Sequence, residues 1–369
     1  MSVPFEYVLP VIRGIQAGRE YYVSMCPVRL LPKLFPYDDE EISPEMRAQR
    51  TLNRARVPEI ARYILNNPTS YTFSAITASI DADITFEPVG SEASARKIGR
   101  LRVPMDARFA INDGQHRRAA FELALKENPD LGYETIAVVF FLDIGLERTQ
   151  QIFSDINRYA VRPDPSLNIL YDRRDEKAIL TKAVVKQVKV FRTLTETERS
   201  SLPVRSGKLF TLSSIYNANV ALIANYKDST LEQQIEIAAN YWDRVSSCIP
   251  DWQQVLQRQV SGGEMRRDYV HSHAIALAGL GEAGATLLSV YPETWAEYLP
   301  KLQQIDWLRT NPDWEGRITI GGRISKSRTS VRWMTAYIKK QLNLPLTPEE
   351  ERLEIARVSA GEEKAKRVF

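Results

Sequence analysis

Apolar and polar residues alternate from the start of the chain. Phe5, Tyr7 and Leu9, and later Tyr21, Val23 and Met25, fall at every second position within residues 3–30. This predicts two strands around the Gly14–Gly18 turn region. After the proline-rich, acidic stretch Pro32–Pro44 the period changes. Val57, Ile60, Ala61, Ile64 and Leu65 are spaced as on one helix face, which predicts helix within Pro44–Asn66, with Pro58 near a helix start and Asn66-Asn67-Pro68 closing it. Tyr71–Ile80 and Phe109–Ile111 read as strands, with an irregular hairpin or loop over Asp81–Arg100 between them. A helix is predicted over Arg117–Glu127, ended by Pro129. Thr135–Leu142 is apolar throughout, as expected of a strand buried on both faces, and Leu146–Arg158 reads as helix.

From Leu170 strand character fades. Helices are predicted over Asp175–Phe191, Ser206–Tyr226, Leu231–Ser246, Trp252–Gln259, Arg267–Val290, Thr294–Ile305 and Ser327–Leu342. Thr347–Arg367 is a charged, helix-prone tail with a cap at Thr347-Pro348-Glu-Glu. The fold class expected is an α/β (α+β) N-terminal domain with a mainly α-helical C-terminal region. The expected divisions are 1–165, 166–345 and 346–369.

Composition narrows the class. With 44% hydrophobic and 26% charged residues the chain is an ordinary globular protein. No apolar run reaches the length of a membrane span, and no basic-then-apolar leader opens the sequence, so a cytoplasmic location and no membrane partner are expected. Cys26 and Cys248 are the only cysteines, which argues against a disulfide framework and a thiolate zinc site. The net charge of +3 does not announce a nucleic-acid binder, but the basic residues are clustered.

The most informative segment is Arg108-Phe-Ala-Ile-Asn-Asp-Gly-Gln-His-Arg-Arg-Ala-Ala-Phe121. A strand enters a glycine turn and leaves as a helix, a geometry that aims backbone N–H groups and the positive end of the helix dipole at one place. Gly114 lets an anion approach the backbone, Arg117 and Arg118 add forked donors, and His116 is suited to phosphate donation or proton transfer. Asp113 has three available roles: holding Mg²⁺, orienting Arg117, or capping the helix. A plain capped helix with solvated arginines accounts for the same pattern equally well.

The run Asn112-Asp-Gly-Gln-His-Arg-Arg-Ala-Ala120 resembles the motif of the DGQHR-domain proteins and is similar to the Gly-x-x-Arg loop of the ParB/sulfiredoxin-like superfamily. Gln151-Ile-Phe-Ser-Asp-Ile-Asn157 with Arg158-Tyr-Ala-Val-Arg-Pro, Asn168-Ile-Leu-Tyr-Asp-Arg-Arg-Asp175 and Arg54-Ala-Arg-Val-Pro-Glu-Ile-Ala-Arg62 agree with the DndB branch, the family of the DNA phosphorothioation (dnd) system. The resemblance implies a DNA-binding transcriptional regulator of the modification genes. It implies a nucleotide, ATP with Mg²⁺, at Gly114, Gln115, His116, Arg117 and Arg118, with Asn157 and Arg158 in a helix end closing over the same place. Promoter duplex DNA, other phosphorothioation proteins and a homo-oligomer are the partners implied. The alternative is an enzyme, an ATPase or DNA-nicking protein with Asp113, His116 and Arg117 as the reactive set. The acidic Glu-Arg-Arg form of ParB is missing, and no cysteine lies near the loop, which rules out sulfiredoxin chemistry.

Gly316–Lys340 holds seven basic residues, Arg317, Arg323, Lys326, Arg328, Arg332, Lys339 and Lys340, and no acidic one. A glycine-rich turn feeding a helix near Ser327 suits phosphate contact, with Arg317, Arg323, Lys326, Arg328 and Arg332 as the expected DNA-binding residues. The other reading is a solvated basic face with Val331, Met334 and Ile338 packed inward. Val204-Arg-Ser-Gly-Lys-Leu-Phe-Thr211 lacks the first glycine and the hydroxyl of a Walker A loop, leaving Arg205 and Lys208 as DNA contacts or as part of a helix start. His271-Ser-His273 does not place both imidazoles on one helix face, and no metal is expected there.

Overall fold

A computed structural model describes residues 5–36, 52–142, 146–158, 163–325 and 327–355. The chain divides into two compact units, Met1–Val161 and Arg162–Phe369, each with its own hydrophobic cluster.

The first unit is built on a seven-stranded sheet. Its strands are β1 (Glu6–Gln16), β2 (Arg19–Pro27), β3 (Ile76–Asp81), β4 (Thr85–Pro88), β5 (Ile98–Pro104), β6 (Arg108–Asp113) and β7 (Thr135–Leu142), in the order β4-β5-β1-β2-β7-β3-β6. All neighbours are antiparallel except β3 and β7. The β1–β2 hairpin turns at Ala17-Gly18, both with positive φ, as the alternation predicts. Leu9, Val11, Tyr22, Cys26, Ala78, Ile80, Leu101, Val103, Ile111, Val138 and Phe140 form the buried side of the sheet. Against them pack helices α1 (Leu31–Leu34), α2 (Val57–Asn66) and α3 (Gln115–Glu127). A fourth helix, α4 (Leu146–Arg158), packs beside β6.

Of the irregular hairpin or loop expected over Asp81–Arg100, the structure has a hairpin: β4 and the start of β5 lie there, paired antiparallel over Thr85–Pro88 and Gly99–Arg102. Two other expectations are corrected in this unit. The aromatic stretch before Ile76 is not strand. Tyr71 and Phe73 turn under α3, where Phe73 meets Phe121 edge-to-face at 5.5 Å and Tyr63 of α2 at 5.6 Å. β7 is buried on one face only, with Ile136, Val138 and Phe140 inside and the alternate residues half-buried or exposed. The part of the Pro44–Asn66 prediction before Leu52 lies outside the described residues.

The second unit is mainly helical: α5 (Pro165–Tyr171), α6 (Glu176–Gln187), α7 (Lys189–Leu194), α8 (Leu212–Leu222), α9 (Leu231–Ser247), α10 (Pro250–Leu256), α11 (Gly262–Asp268), α12 (Ala274–Val290), α13 (Arg328–Gln341) and α14 (348–355). Short pairs β8 (Thr195–Glu196) with β9 (Phe210–Thr211) and β10 (Thr319–Ile320) with β11 (Arg323–Ile324) complete it. The almost wholly apolar α12 is buried nearly all round, as a helix with no polar face must be. Gly281 lets it approach α8 until a Cβ would stand 2.4 Å from the Ala218 carbonyl oxygen.

Several long helices predicted here are shorter or broken. Asp175–Phe191 splits at Val188, whose backbone is extended. Ser206–Tyr226 begins only at Leu212, where Thr211 and Ser214 form a capping box. Arg267–Val290 breaks at 269–273, where Val270 N–H bonds the Trp307 carbonyl instead of continuing a helix. Residues 294–305 form two 3₁₀ turns, with Pro300 at the start of the second.

All six tryptophans belong to this unit. Trp242 and Trp252 surround Phe191 and Phe210, with ring centroids 5.0–6.5 Å apart. The polar edges are satisfied inside: Trp242 Nε1 donates to Asn219 Oδ1 (2.7 Å) and Trp252 Nε1 to His271 Nδ1 (3.0 Å). No helix among the described residues is long and apolar enough to cross a membrane.

Candidate functional site

The loop at Asp113 stands where β6 becomes α3. Gly114 has φ +110°, a conformation that L side chains rarely adopt, and a Cβ there would lie 3.0 Å from Ile76 Cγ1. The N-cap residue of α3 is Gly114 itself, which has no side chain to cap the helix. Arg117 is mostly buried and bridges the turn: Nη2 donates to Asp113 Oδ2 (2.6 Å), Nη1 to the Ser74 carbonyl (3.0 Å) and to Ser74 Oγ. The packing of Phe73 against Phe121 fixes Ser74 for this contact.

The other polar side chains of the motif are turned into the fold. Gln115 is buried and donates to the Ile111 carbonyl (2.9 Å), closing the loop from within. Arg118 is buried, paired with Glu122 (2.6 Å) and reaching the Pro32 carbonyl (3.4 Å). His116 Nε2 accepts the Asn53 backbone N–H (3.1 Å), so that nitrogen carries no proton in this state. Asn112 is wholly buried and accepts from Ser79 Oγ (3.1 Å). Asp113 and Arg117 are therefore the motif's charged pair at the mouth of the loop. Arg158 is exposed in the last turn of α4, and the side chain of Asn157 lies outside the described residues. No group of three His, Cys, Asp or Glu suited to a metal ion occurs among the described residues.

In the helical unit the predicted basic residues part into two sets. Gly321 and Gly322 both have positive φ and make the two-residue turn between β10 and β11. Glu315 holds the hairpin by accepting Thr319 Oγ1 (2.9 Å) and Gly321 N–H (2.8 Å), and Arg309 donates to the Gly322 carbonyl (2.8 Å). Arg323 is exposed on this fixed hairpin. Arg328 is exposed at the first turn of α13, whose N-terminus is capped by Ser327 Oγ on Ser330 N–H (3.0 Å). Neither arginine has a carboxylate partner among the described residues. Lys326 lies outside them.

The remaining members face carboxylates. Arg317 is buried in a two-pronged pair with Glu354 and lies over the rings of Trp333 and Tyr337. Lys339 is buried against both oxygens of Glu350 (2.9 Å each), Lys340 pairs with Glu354 (2.8 Å) and Arg332 with Glu349. Sequence reading gave a charged, helix-prone tail with a cap at Thr347, but not its pairing with these cations. The signal for docking was the i, i+4 spacing of Glu350 and Glu354, which puts both on one face of α14.

A third element is a loop rather than a helix start. Residues 203–208 are braced by Arg266, whose guanidinium donates to the carbonyls of Pro203 (2.7 Å), Val204 (3.2 Å), Ser206 (3.0 Å) and Lys208. Gly262 and Gly263 press against it so closely that Cβ atoms there would meet the Gly207 and Val204 carbonyl oxygens at 2.7 and 2.4 Å. Val204, 83% exposed, and Arg205 stand at its tip, while Lys208 Nζ turns back to the Thr193 carbonyl (2.7 Å).

His271 is buried and serves the core. Because Trp252 Nε1–H can only donate, His271 Nδ1 must be unprotonated, and Nε2 lies 3.2 Å from Asp251 Oδ2. Burial holds its pKa below the ordinary 6.5 despite the raising effect of Asp251.

This chain belongs to the DndB family, described as DNA-sulfur modification-associated, whose family model it matches over residues 9–345. No curated protein and no solved structure matches it significantly.

Proposed function

We propose that this DndB-family chain binds duplex DNA and regulates transcription of the DNA phosphorothioation genes, with ATP–Mg²⁺ at the Asp113 loop shifting its DNA affinity. The observation that carries the reading is the pair Arg323 and Arg328, exposed and without carboxylate partners among the described residues, on a fixed hairpin and a capped helix start. Guanidinium groups on rigid backbone lose little freedom when they meet phosphate oxygens. Arg205, at the tip of the braced loop, is a further phosphate contact on the same reasoning.

At the Asp113 loop, the backbone N–H groups of the first turn of α3 and the Arg117 fork would hold the phosphates, and Asp113 is the carboxylate suited to Mg²⁺. Arg117 already grips a carboxylate, so exchanging Asp113 for phosphate keeps its geometry while freeing Asp113. A ligand preferring that rearranged loop would shift the population of the protein between two DNA affinities.

The test is binding of the full chain to its own promoter duplex and to random duplex across a salt series, with and without ATP–Mg²⁺. Promoter-selective binding that ATP shifts is the expected result. Indifference to ATP removes the nucleotide half, and equal affinity for both duplexes removes promoter regulation. Mg²⁺-dependent phosphate release that is lost in His116→Ala would instead make the loop a hydrolytic site.

A further inference from the structure

The basic segment 316–340 meets its own counter-surface in α14. That helix carries Glu349, Glu350, Glu351 and Glu354 against a single arginine, Arg352. Its start is fixed by a reciprocal cap: Thr347 Oγ1 accepts Glu350 N–H (3.3 Å) and Glu350 Oε2 accepts Thr347 N–H (2.7 Å). Three of its glutamates hold four of the seven cations of the basic segment: Glu354 takes Arg317 and Lys340, Glu350 takes Lys339, and Glu349 takes Arg332.

The way Arg317 is held points to an anion site with a resident occupant. Both prongs of its guanidinium meet the two oxygens of one carboxylate, the geometry that also fits a phosphate. Trp333 and Tyr337 of α13 keep the guanidinium in place from their ring faces, 5.5 and 5.1 Å away, independently of Glu354. Removing the carboxylate would therefore leave the fork oriented. Glu354 stays ionised: burial pushes its pKa up, but hydrogen bonds from Arg317 and Lys340 more than offset this and hold it below the ordinary carboxylate value. The family match ends at residue 345, so the basic residues lie inside the matched region and α14 beyond it.

We infer that Arg317, Arg332, Lys339 and Lys340 form a phosphate-binding surface for duplex DNA that α14 occupies as an internal competitor. DNA binding displaces the helix, and the helix weakens DNA binding in return. This rests on the DNA-binding reading above. In the DNA-bound state phosphate oxygens replace the three glutamates, and α14 separates from α13. Arg323 and Arg328 make the first contacts because they are exposed and have no carboxylate partner among the described residues.

Two measurements on the full chain decide the matter. The first compares random duplex binding by wild type and by Glu349→Gln/Glu354→Gln, with folding checked by circular dichroism. Freeing Arg332, Arg317 and Lys340 should tighten binding about ten-fold at moderate salt and steepen the log-affinity against log-salt slope by about 2 to 3. The second follows hydrogen exchange of residues 347–355 in wild type as the duplex is added, and needs no variant; protection there should fall. A folded variant with wild-type affinity and slope overturns the clamp while leaving DNA binding intact. So does a helix that keeps or gains protection in the complex, and this second arm decides alone if the variant does not fold. If neither protein binds duplex, the clamp and the DNA-binding reading fall together.

Discussion

The two motif-rich regions handle charge in opposite ways. At the Asp113 loop the conspicuous side chains are drawn into the fold: Gln115 closes the turn, Arg118 is buried against Glu122, and Arg117 ties Asp113 to Ser74. In the 316–340 segment Glu315 and Arg309 hold the hairpin from outside it and the Ser327 cap starts α13, so that Arg323 and Arg328 are left to solvent while the cations facing α14 are paired. The first region uses its own polar side chains to hold an unusual backbone; the second has its backbone held for it. A conspicuous motif therefore marks a backbone that must be kept in place, and an inconspicuous hairpin can be the better-presented surface.

The strongest way to break the comparison is to unfold one unit without the other. Trp242→Ala removes a fully buried side chain and leaves Asn219 Oδ1 without its donor, an expected loss of about 3–5 kcal/mol from the helical unit. Trp242→Phe should cost less, about 1–3 kcal/mol, chiefly the lost hydrogen bond. Urea unfolding read by tryptophan emission reports this unit, and hydrogen exchange in β3 and β7 should stay protected. Loss of protection in both units together would show that the two clusters are one cooperative core.

Acid should also act on the helical unit first. Burial holds the pKa values of His271 and His273 below 6.5, so the unfolded chain binds more protons than the folded one below that pH. Their stabilising contribution is complete above 6.5 and is lost as pH falls toward the lower folded values. Protonation of His271 at Nδ1 would also take away the acceptor of Trp252. Thermal midpoints should drop between about pH 7.5 and about pH 5.5, and the drop should shrink in His271→Gln. A flat profile over that range contradicts the account.

At the loop, Gly114→Ala should destabilise the first unit by about 1–3 kcal/mol through its positive φ and the contact with Ile76. Faster exchange at the start of α3 would show it, and unchanged exchange there would mean that the backbone relaxes freely. The smallest expected effect concerns binding. Arg323→Ala with Arg328→Ala should leave stability unchanged, weaken duplex binding roughly ten-fold and flatten the salt slope by about 2. An unaltered slope would move the docking surface elsewhere.

Much of this was legible in local pattern. The β1–β2 alternation, the helix predicted over Leu231–Ser246 and the Thr347 cap all state their structure within a few residues. β5 was hidden because its first inward residue is Gly99, accepted only because Phe86 and the Glu87 carbonyl lie where a side chain would be, while the apolar Ile98 faces out. The break at Val188 carries no proline or glycine to announce it. At the site, the Asp113–Arg117 pair follows from i, i+4 spacing. Ser74 and Asn53 lie 43 and 63 residues from their partners, and only tertiary packing brings them there. Arg317 looked like a free cation because nothing local shows that Glu354, 37 residues on, would meet it.

The brace under residues 203–208 has an evolutionary consequence. Arg266 grips carbonyl oxygens, which every residue type supplies, so the shape of the loop does not depend on which side chains stand at its tip. Positions 204 and 205 can mutate while the platform beneath them persists. That uncouples inheritance of the fold from inheritance of the contact, and it makes this loop a place where related chains can diverge in what they touch without renegotiating how they fold.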